Sequence, residues 1–400
     1  MRTGQDDVAV TAHSSPARAD DPYFKWPRIS EHAIQLVTEM LRKGITSFDL
    51  ATFEAFEAEV GRLFGVDHVL CCNNGTSACY SAFRALGVGP GSSIIAPAIT
   101  HWASVLPAVQ CGARVAFADV QPDTCHLDPD SVRRLIDSTT RAVVVTHMFG
   151  EVLGLDELRS ICDTHGLALV EDVSHAHGAT FRGRPAGSFG DVSFCSFQAA
   201  KLVSGGEGGA LLTNRPDLYY RAMELGHPRR LQRAPAGWKN LAGVGRGFKF
   251  RPSPLLVALA HDSVRNLREQ NSTRKRACEQ LRAQLIECGE FAGLGRPADG
   301  RVYFRLELLL ARAEESFRDR LVDSLTARGI RAHRLVGFLP GHPSLDGHTD
   351  PAAGNWPVAR DVMRRVFFLE AFTAYSEEVV TNYGRAIVET VRKLRQVSCE

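Results

Sequence analysis

One lysine lies in a stretch of small and apolar residues, where lysine is uncommon. Lys201 follows the segment Phe197-Gln198-Ala199-Ala200 and precedes a glycine-rich segment at residues 205–209. Lysine side chains prefer solvent unless a partner or a reaction uses them. Burial lowers the pKa of an ammonium group, and the free amine can then condense with an aldehyde. Taken alone, Lys201 fits a side chain that extends to the surface as well as it fits a catalytic amine.

Two carboxylates end a predicted buried strand at residues 167–170. Glu171 and Asp172 follow this strand, and His175 and His177 come soon after. Ligands of open α/β sheets bind beyond the carboxyl ends of the strands, so Asp172 could pair with a cationic ring nitrogen there. Two alternatives remain open: Asp172 caps a turn, or it binds a metal with the two histidines. The metal site is the weaker alternative because no third His or Cys stands at ligand spacing.

A third segment has the composition of a phosphate-binding helix start. Gly75, Thr76 and Ser77 follow an apolar strand and open a predicted helix. The N-terminus of a helix offers unpaired N–H groups and the positive end of its dipole, and hydroxyls add further donors. Ser196, five residues before Lys201, could also reach a phosphate. The alternative is an ordinary N-cap, because Ser and Thr are common in that position.

Strands and helices alternate over the first part of the chain, which predicts an α/β fold with a mostly parallel sheet covered on both faces. We predict strands at residues 68–71, 93–96, 115–117, 142–145, 167–170 and 210–212, and helices at 76–86 and 156–165, each followed by glycine. A Gly- and Pro-rich loop at 243–254 precedes a long helix at 255–288. The rest predicts a smaller α+β unit, with a strand at 302–308 and helices at 315–328 and 377–394. We therefore predict a disordered leader at residues 1–25, a large domain at 26–254 and a small C-terminal domain at 255–400.

Composition excludes several classes of protein. A net charge of +2 over 400 residues gives no basis for nucleic-acid or anionic-membrane binding, and no apolar stretch approaches the roughly 20 residues of a transmembrane helix. The ten cysteines include no C-x-x-C pair. They predict buried reduced thiols in a cytoplasmic protein rather than a disulfide or zinc framework.

The spaced motifs, in this order along the chain, resemble the DegT/StrS-type sugar aminotransferases, which are fold-type I pyridoxal-phosphate enzymes. The likeness runs from about residue 27 to residue 394 and rests on four segments: Gly75-Thr76-Ser77-Ala78, Glu171-Asp172-x-x-His175-Ala176-His177-Gly178, Ser196-Phe197-x-x-x-Lys201 and Gly206-Glu207-Gly208-Gly209. Ala96-Pro97-x-x-Thr100, Phe149-Gly150 and Gly247-Phe248-x-Phe250-Arg251 also fit the family pattern.

The resemblance implies a role for each matching position. Lys201 would form the Schiff base with pyridoxal 5'-phosphate and move a proton, and Asp172 would pair with the pyridine nitrogen. Gly75, Thr76, Ser77 and Ser196 would hold the phosphate. His101, or Trp102 beside it, would stack on the cofactor, and His175 would lie near its face. A loop with Lys249 and Arg251 would complete the phosphate site of a partner subunit, which implies a homodimer with shared active sites.

The function implied by this resemblance is amino transfer from glutamate or glutamine to a keto sugar or keto-cyclitol, in secondary-metabolite (antibiotic) or cell-surface sugar biosynthesis. Alternatives are an aromatising enzyme of the aminohydroxybenzoate-synthase kind, a non-catalytic sensor with the same fold, and, more weakly, a metal-dependent hydrolase. The acceptor pocket is expected near residues 227–233 and 334–342, whose basic side chains could read a nucleotide diphosphate or be solvated.

Overall fold

The computed structural model describes residues 21–46, 50–241, 247–292, 300–349 and 354–397. Its helices are α1 Glu31–Lys43, α2 Leu50–Phe64, α3 Gly75–Ala85, α4 Leu106–Gln110, α5 Pro129–Leu135, α6 Leu155–His165, α7 Pro216–Gly226, α8 Pro228–Leu231, α9 Pro254–Glu287, α10 Glu315–Ala327, α11 Pro357–Arg365 and α12 Glu377–Val397. Its strands are β1 His68–Cys72, β2 Ser93–Pro97, β3 Arg114–Ala118, β4 Thr140–Thr146, β5 Ala168–Asp172, β6 Thr180–Phe181, β7 Arg184–Pro185, β8 Val192–Ser196, β9 Gly209–Thr213, β10 Phe291–Ala292, β11 Arg305–Leu310, β12 Ala332–Arg334 and β13 Val366–Glu370.

A seven-stranded sheet, in the order β1-β9-β8-β5-β4-β2-β3, forms the centre of the molecule. Its neighbours pair in parallel except β9, which runs antiparallel to both β1 and β8. The predicted mostly parallel α/β fold is thus confirmed. Because β9 alone is reversed, the carboxyl ends of the other six strands lie at one edge of the sheet.

Each of the six predicted strands of this sheet is present. Five are extended by one to three residues, and the strand predicted at 167–170 is shifted to Ala168–Asp172. The prediction missed β8, whose sequence Val-Ser-Phe-Cys-Ser mixes small polar with apolar residues and gives a weak strand signal. The helix predicted at residues 156–165 is α6, and Gly166 ends it in the left-handed conformation that favours glycine. The strand predicted at 302–308 begins later, at Arg305. Within the loop predicted at 243–254, residues 243–246 lie outside the described residues.

Helices cover the sheet on both faces, and two apolar clusters fill the space between them. One cluster joins α3 to one face of the strands, and the other joins α2 and α6 to the opposite face. Nearly every side chain of β2, β4, β5 and β9 is buried. This burial explains the continuous apolar runs in the sequence, since strands covered on both faces do not alternate. None of the described helices is both long and apolar enough to cross a membrane.

The C-terminal part forms its own antiparallel sheet, in the order β10-β11-β13-β12. A third apolar cluster unites it with α10, α12 and the second half of α9, while the first half of α9 packs against the large sheet. Phe24, within the segment predicted as a leader, also packs in this third cluster.

A close backbone contact joins the C-terminal part to the large sheet just beyond β4. Phe304 N–H donates to the Phe149 carbonyl over 3.1 Å, and Val302 N–H donates to the Gly150 carbonyl over 3.2 Å. Gly150 has a φ of 94°, and a Cβ there would lie 2.4 Å from the Val302 oxygen. Only glycine fits this position. The Phe149-Gly150 motif therefore fixes where the C-terminal part meets the large sheet.

Candidate active site

A cavity of about 500 Å³ opens at the carboxyl edge of the large sheet. A cavity of this size suits a small-molecule ligand. It brings together residues from the ends of several strands and the loops that follow them. The lining residues are Asn74, Gly75, Thr76, His101, Trp102, Ala103, Thr146, Asp172, Ser174, His175, Phe194, Ser196, Gln198, Lys201 and Glu207.

Asp172 is the last residue of β5 and is 5% exposed. Both of its carboxylate oxygens are held: Ser104 Oγ donates to Oδ2 over 2.5 Å, and the Ser174 N–H donates to Oδ1 over 2.9 Å. The predicted alternative of a turn cap therefore also applies, because the Ser174 contact is such a cap. The carboxylate is anchored and still lines the cavity.

Glu171 points away from the cavity, since successive side chains of a strand face opposite sides. Its fully buried carboxylate contacts His147 Nε2 at 3.0 Å and accepts the N–H groups of Gly187, Phe189 and Gly190 over 2.6–2.9 Å. These hydrogen bonds lower the pKa of Glu171 against the opposing effect of burial. Glu171 thus organises a loop beneath the sheet, whereas its neighbour lines the cavity.

The start of α3 lies directly against the ends of β8 and β9. A Cβ on Gly75 would lie 2.9 Å from Ser196 Cβ, and a Cβ on Gly209 would lie 2.5 Å from the Asn74 carbonyl carbon. These two glycines permit the approach that places Thr76 and Ser196 in one cavity. Because the first N–H groups of a helix lack partners within it, this corner suits an anion. Asn74 caps the helix by accepting the Ser77 N–H over 2.7 Å.

Lys201 lies in a loop after β8, and its side chain is partly buried at the cavity. Burial lowers the pKa of its amine from 10.5 to about 8, with the positive charge of Arg305 acting in the same direction and the Asp172 carboxylate opposing it. The Nζ atom lies 4.9 Å from the centre of the Phe304 ring. The amine therefore loses its proton far more readily than a solvated lysine does.

His175 lies parallel to the ring of Phe304, with centroids 4.0 Å apart. Burial, and then the charge of Lys201, lower its pKa well below the usual value, so the ring is neutral at pH 7. Its Nδ1 atom is buried without a hydrogen-bond partner among the described residues. A buried polar atom of this kind suits a ligand group, since unpaired buried atoms are costly. His101 and Trp102 stand at the exposed rim, with ring centroids 5.0 Å apart.

Two predicted site residues do not line this cavity. Ser77 lies further along α3, and Arg251 lines a separate small cavity with His227 and Arg230. The segment before Arg251 is nevertheless close, because the Asn73 N–H donates to the Phe250 carbonyl over 2.6 Å. The other predicted residues, Gly75, Thr76, His101, Asp172, His175, Ser196 and Lys201, line the cavity together.

The metal alternative is not supported by the position of His177. This ring is buried behind the cavity, and its Nδ1 accepts the Val203 N–H over 2.9 Å. Burial lowers its pKa to about 3. The described part of the chain holds no group of three His, Cys, Asp or Glu side chains that could bind a metal ion.

Two residues escaped the sequence analysis: one lies behind the cavity and bonds to Asp172, and the other lines the cavity. Ser104 carries no motif, and only its bond to Asp172 reveals it. Thr146 ends β4, and its hydroxyl lies 2.8 Å from that of Thr100, which belongs to the Ala96-Pro97-x-x-Thr100 motif. A search for polar residues at every predicted strand end would have found Thr146.

The cavity fits pyridoxal phosphate on three counts. The α3 corner with Thr76 and Ser196 offers donors to a phosphate, Asp172 offers an anchored carboxylate to a ring nitrogen, and Lys201 offers an amine with a lowered pKa to an aldehyde. The orphaned Nδ1 of His175 adds a hydrogen-bonding atom for a ring substituent.

Comparison with known proteins identifies the family of the chain. Residues 27–389 match the model of the DegT/DnrJ/EryC1/StrS aminotransferase family. The chain is 32% identical over 367 residues to an L-glutamine:2-deoxy-scyllo-inosose aminotransferase of Streptomyces kanamyceticus, which covers 87% of this chain and 84% of that relative. It is 30% identical over 420 residues to an L-glutamine:scyllo-inosose aminotransferase of Streptomyces griseus, which covers 98% of each chain.

Solved structures support the same fold. The crystal structure of 3-amino-5-hydroxybenzoic acid synthase superposes with a TM-score of 0.85, covering 93% of this chain and 99% of that one at 23% identity. Fold and sequence together define a fold-type I pyridoxal-phosphate enzyme. The chain belongs to the DegT/DnrJ/EryC1/StrS aminotransferase family. It is an aminotransferase, and the family implies pyridoxal phosphate as its cofactor.

The lowered pKa of Lys201 predicts the pH at which its amine becomes reactive. In cofactor-free protein, acetylation of Lys201 by acetic anhydride should reach half its maximal rate near pH 8, because the ammonium form prevails below that pH and the free amine above it. Mass spectrometry of the digest measures the rate, and exposed Lys25 serves as the internal reference for reagent decay. A half-maximal pH near 10.5 would contradict the burial of the amine.

Proposed function

We propose that this chain transfers the amino group of glutamine or glutamate to a keto-cyclitol, or to a related keto sugar, with Lys201 and Asp172 as catalytic residues. The observation that carries the proposal is the presence of both side chains in one cavity with the start of α3. The two relatives named above use L-glutamine and inososes, according to their names. We place the reaction in the biosynthesis of secondary metabolites, such as antibiotics, or of cell-surface sugars.

The roles follow from the positions of the side chains. When bound, pyridoxal phosphate supplies an aldehyde for the amine and a ring that accepts electrons from the breaking Cα–H bond. Lys201 Nζ would hold the cofactor, take the proton from the donor's Cα and later return a proton to the acceptor's carbon. Asp172 would hold the proton on the ring nitrogen. Thr76 and Ser196, with Gly75 at the start of α3, line the cavity and would bind the phosphate; Ser77, which follows Thr76 outside the lining, would support them.

The remaining lining residues would orient the ring. His101 or Trp102 at the rim would cover one face of the cofactor, and His175 would contact it from the side of Phe304. Because His175 is neutral and stacked, its ring would donate or accept one hydrogen bond without adding charge. The rim residues would also keep water from the reacting carbon.

The charge of the lining favours an uncharged polyol acceptor. Lys201 is the lone Lys or Arg among the fifteen described lining residues, and Asp172 and Glu207 are acidic. Two of the basic side chains expected to read a nucleotide diphosphate are paired with carboxylates. Arg230 makes two 2.7 Å contacts with Glu57, and Arg334 pairs with Asp319 and Asp323 at 2.9 and 2.6 Å. Carboxylate and hydroxyl groups suit the hydroxyls of a cyclitol.

A substrate panel tests the reaction. Cofactor-loaded protein is incubated with glutamine or glutamate and with scyllo-inosose, 2-deoxy-scyllo-inosose or a nucleotide-linked 4-keto sugar, and amine product and keto acid are measured by mass spectrometry. We expect both products with an inosose and neither with the Lys201→Ala variant, which lacks the amine. Absence of keto acid with every acceptor would contradict amino transfer and direct attention to the aromatising alternative.

Asp172→Asn tests the carboxylate. Asparagine keeps the size and a hydrogen-bonding oxygen but loses the charge, so the cofactor should stay bound while turnover falls about 100- to 1,000-fold. Glu171→Gln is the matched control on the other side of the same strand, and it should cost about 1.5–3 kcal/mol of stability with little effect on turnover of the folded protein. Absorbance titration and steady-state rates measure both. Substantial turnover in Asp172→Asn would remove its assigned role.

The active unit in this proposal is a cytoplasmic homodimer in which Arg251 completes the partner's phosphate site. Arg251 lies outside the cavity of its own chain. Several large apolar side chains are exposed on the chain and suit burial against a second copy. They include Ile34, Leu41, Ile45, Trp102 and Phe248. The nine described cysteines are free thiols, eight of them buried, as a reducing compartment allows.

Mixing of inactive variants tests the shared site. Arg251→Ala and Lys201→Ala should each lose most activity, but unfolding and refolding them together should restore part of it, since one site of the hybrid dimer would be intact. Asp172→Asn mixed with Lys201→Ala is the control, because both changes affect the cavity of their own chain and no intact site can form. Failure of the first pair to recover activity, or a monomer in sedimentation, would contradict the shared site.

A further inference from the structure

The chain segment that precedes α1 connects the C-terminal core to the loop that carries Lys201. We call residues 21–30 the N-terminal strap. At one end, Phe24 packs against Phe372 with ring centroids 4.7 Å apart, and the Thr373 N–H donates to the Tyr23 carbonyl over 2.7 Å. At the other end, Ser30 Oγ lies 2.8 Å from Asp262 on α9. The N-terminal strap is therefore anchored on both sides of Trp26.

Trp26 lies between these anchors and contacts the loop that contains Lys201. Its Nε1–H donates to the main-chain carbonyl of Lys201 over 3.1 Å. The guanidinium carbon of Arg274, on α9, lies 4.3 Å from the centre of the indole ring. The indole is thus held by a cation on its face and a carbonyl at its edge.

Arg274 has an unusual environment for an arginine. It is 2% exposed, and its Nε has no hydrogen-bond partner among the described residues. Burial lowers its pKa to about 10, and the charge of Arg305 acts in the same direction. A guanidinium that gains little from ion pairing is stabilised by the electron-rich face of the indole. Trp26 therefore has a fixed orientation rather than a free one.

The Lys201 main chain needs such support because no helix or strand contains it. Lys201 lies between β8 and β9, where its N–H donates to the Gln198 carbonyl over 2.8 Å as a turn contact. The hydrogen bond from Trp26 holds the main-chain carbonyl of the same residue. The reach of a long flexible side chain depends on where its Cα is held, and small displacements of a reacting group are costly in rate.

We propose that Trp26 is a positioning residue for Lys201: its indole, held against Arg274, fixes the main chain from which the amine reaches the cofactor. The inference rests on the role of Lys201 in the proposed function. It adds that the strap couples the position of the C-terminal core to the amine, since Phe24 and Trp26 belong to one short segment.

Trp26→Phe separates positioning from packing, because phenylalanine keeps an aromatic ring over Arg274 but has no N–H donor. With a less constrained main chain, the amine gains contact with water, opposing the burial that lowers its pKa to about 8. We expect the pH of half-maximal Lys201 acetylation in cofactor-free protein to rise from near 8 toward 10.5. The kcat should fall about tenfold while KM for glutamine changes less than about twofold, because substrate contacts remain.

Trp356→Phe is the matched control. Trp356 Nε1–H also donates to a main-chain carbonyl, that of Phe117, over 2.7 Å, but Trp356 does not line the cavity. Its variant should lose thermal stability without changing Lys201 acetylation or kcat. If Trp26→Phe behaves like Trp356→Phe in both measurements, or if both variants shift the acetylation pH alike, the proposal is overturned.

Arg274→Met provides a second approach should Trp26→Phe fail to fold. This change removes the guanidinium but leaves the indole and its N–H, so the acetylation pH should shift in the same direction by a smaller amount. An unchanged acetylation pH in Arg274→Met would contradict the role of Arg274 in holding the indole. Acetylation requires neither cofactor nor substrate, so it tests the strap even where every acceptor in the substrate panel fails. A failed panel with a positive acetylation result would place the error in the substrate rather than in the strap.

Discussion

The structure keeps the amine of Lys201 away from water and close to the carboxylate of Asp172. Desolvation favours the neutral amine, whereas the negative charge of Asp172 favours the ammonium form. Desolvation is the larger effect, and the pKa settles near 8. The protonated and the neutral form of the amine are therefore both populated near pH 8, which suits the proton transfer that we propose for Lys201. Two hydrogen bonds, from the Ser104 hydroxyl and the Ser174 N–H, hold the Asp172 carboxylate in place.

The parallel arrangement of the sheet explains why these groups meet. Thr146, Asp172 and Ser196 end three adjacent strands, β4, β5 and β8, and therefore lie at one edge. The strand period decides which residue of a pair participates: Asp172 lines the cavity, and Glu171, one residue earlier, binds a loop on the opposite face. Glycines at positions 75 and 209 then bring a helix N-terminus within contact of the same edge. Polar groups from distant parts of the sequence thus converge at one edge of the sheet.

The large sheet and most of the cavity could be predicted because their signals are local. Apolar runs that end in polar residues marked the strands β1, β2, β4 and β5, and Lys201 stood out through its neighbours. The signal failed where the candidate site depends on a contact between residues far apart in the sequence. Ser104 lies in a short turn with no pattern, and Phe304 looks like an ordinary strand residue until its ring is seen against His175. The spacing of His175 and His177 was by contrast misleading, because it also fits a metal site. In the structure His177 accepts the Val203 N–H, and only His175 of the two faces the cavity.

The C-terminal part contacts residues of the candidate site, as the large sheet does. Phe304 stacks on His175 and lies 4.9 Å from the Lys201 amine, so one ring from this part borders two groups of the cavity. Its main chain is held against the large sheet, since its N–H donates to the Phe149 carbonyl and the chain approaches Gly150 too closely to leave space for a Cβ. A movement of the C-terminal sheet relative to β4 would have to break these contacts and would expose the amine to water. The burial that lowers the pKa of Lys201 is therefore a property of the assembled chain rather than of the loop that carries the lysine.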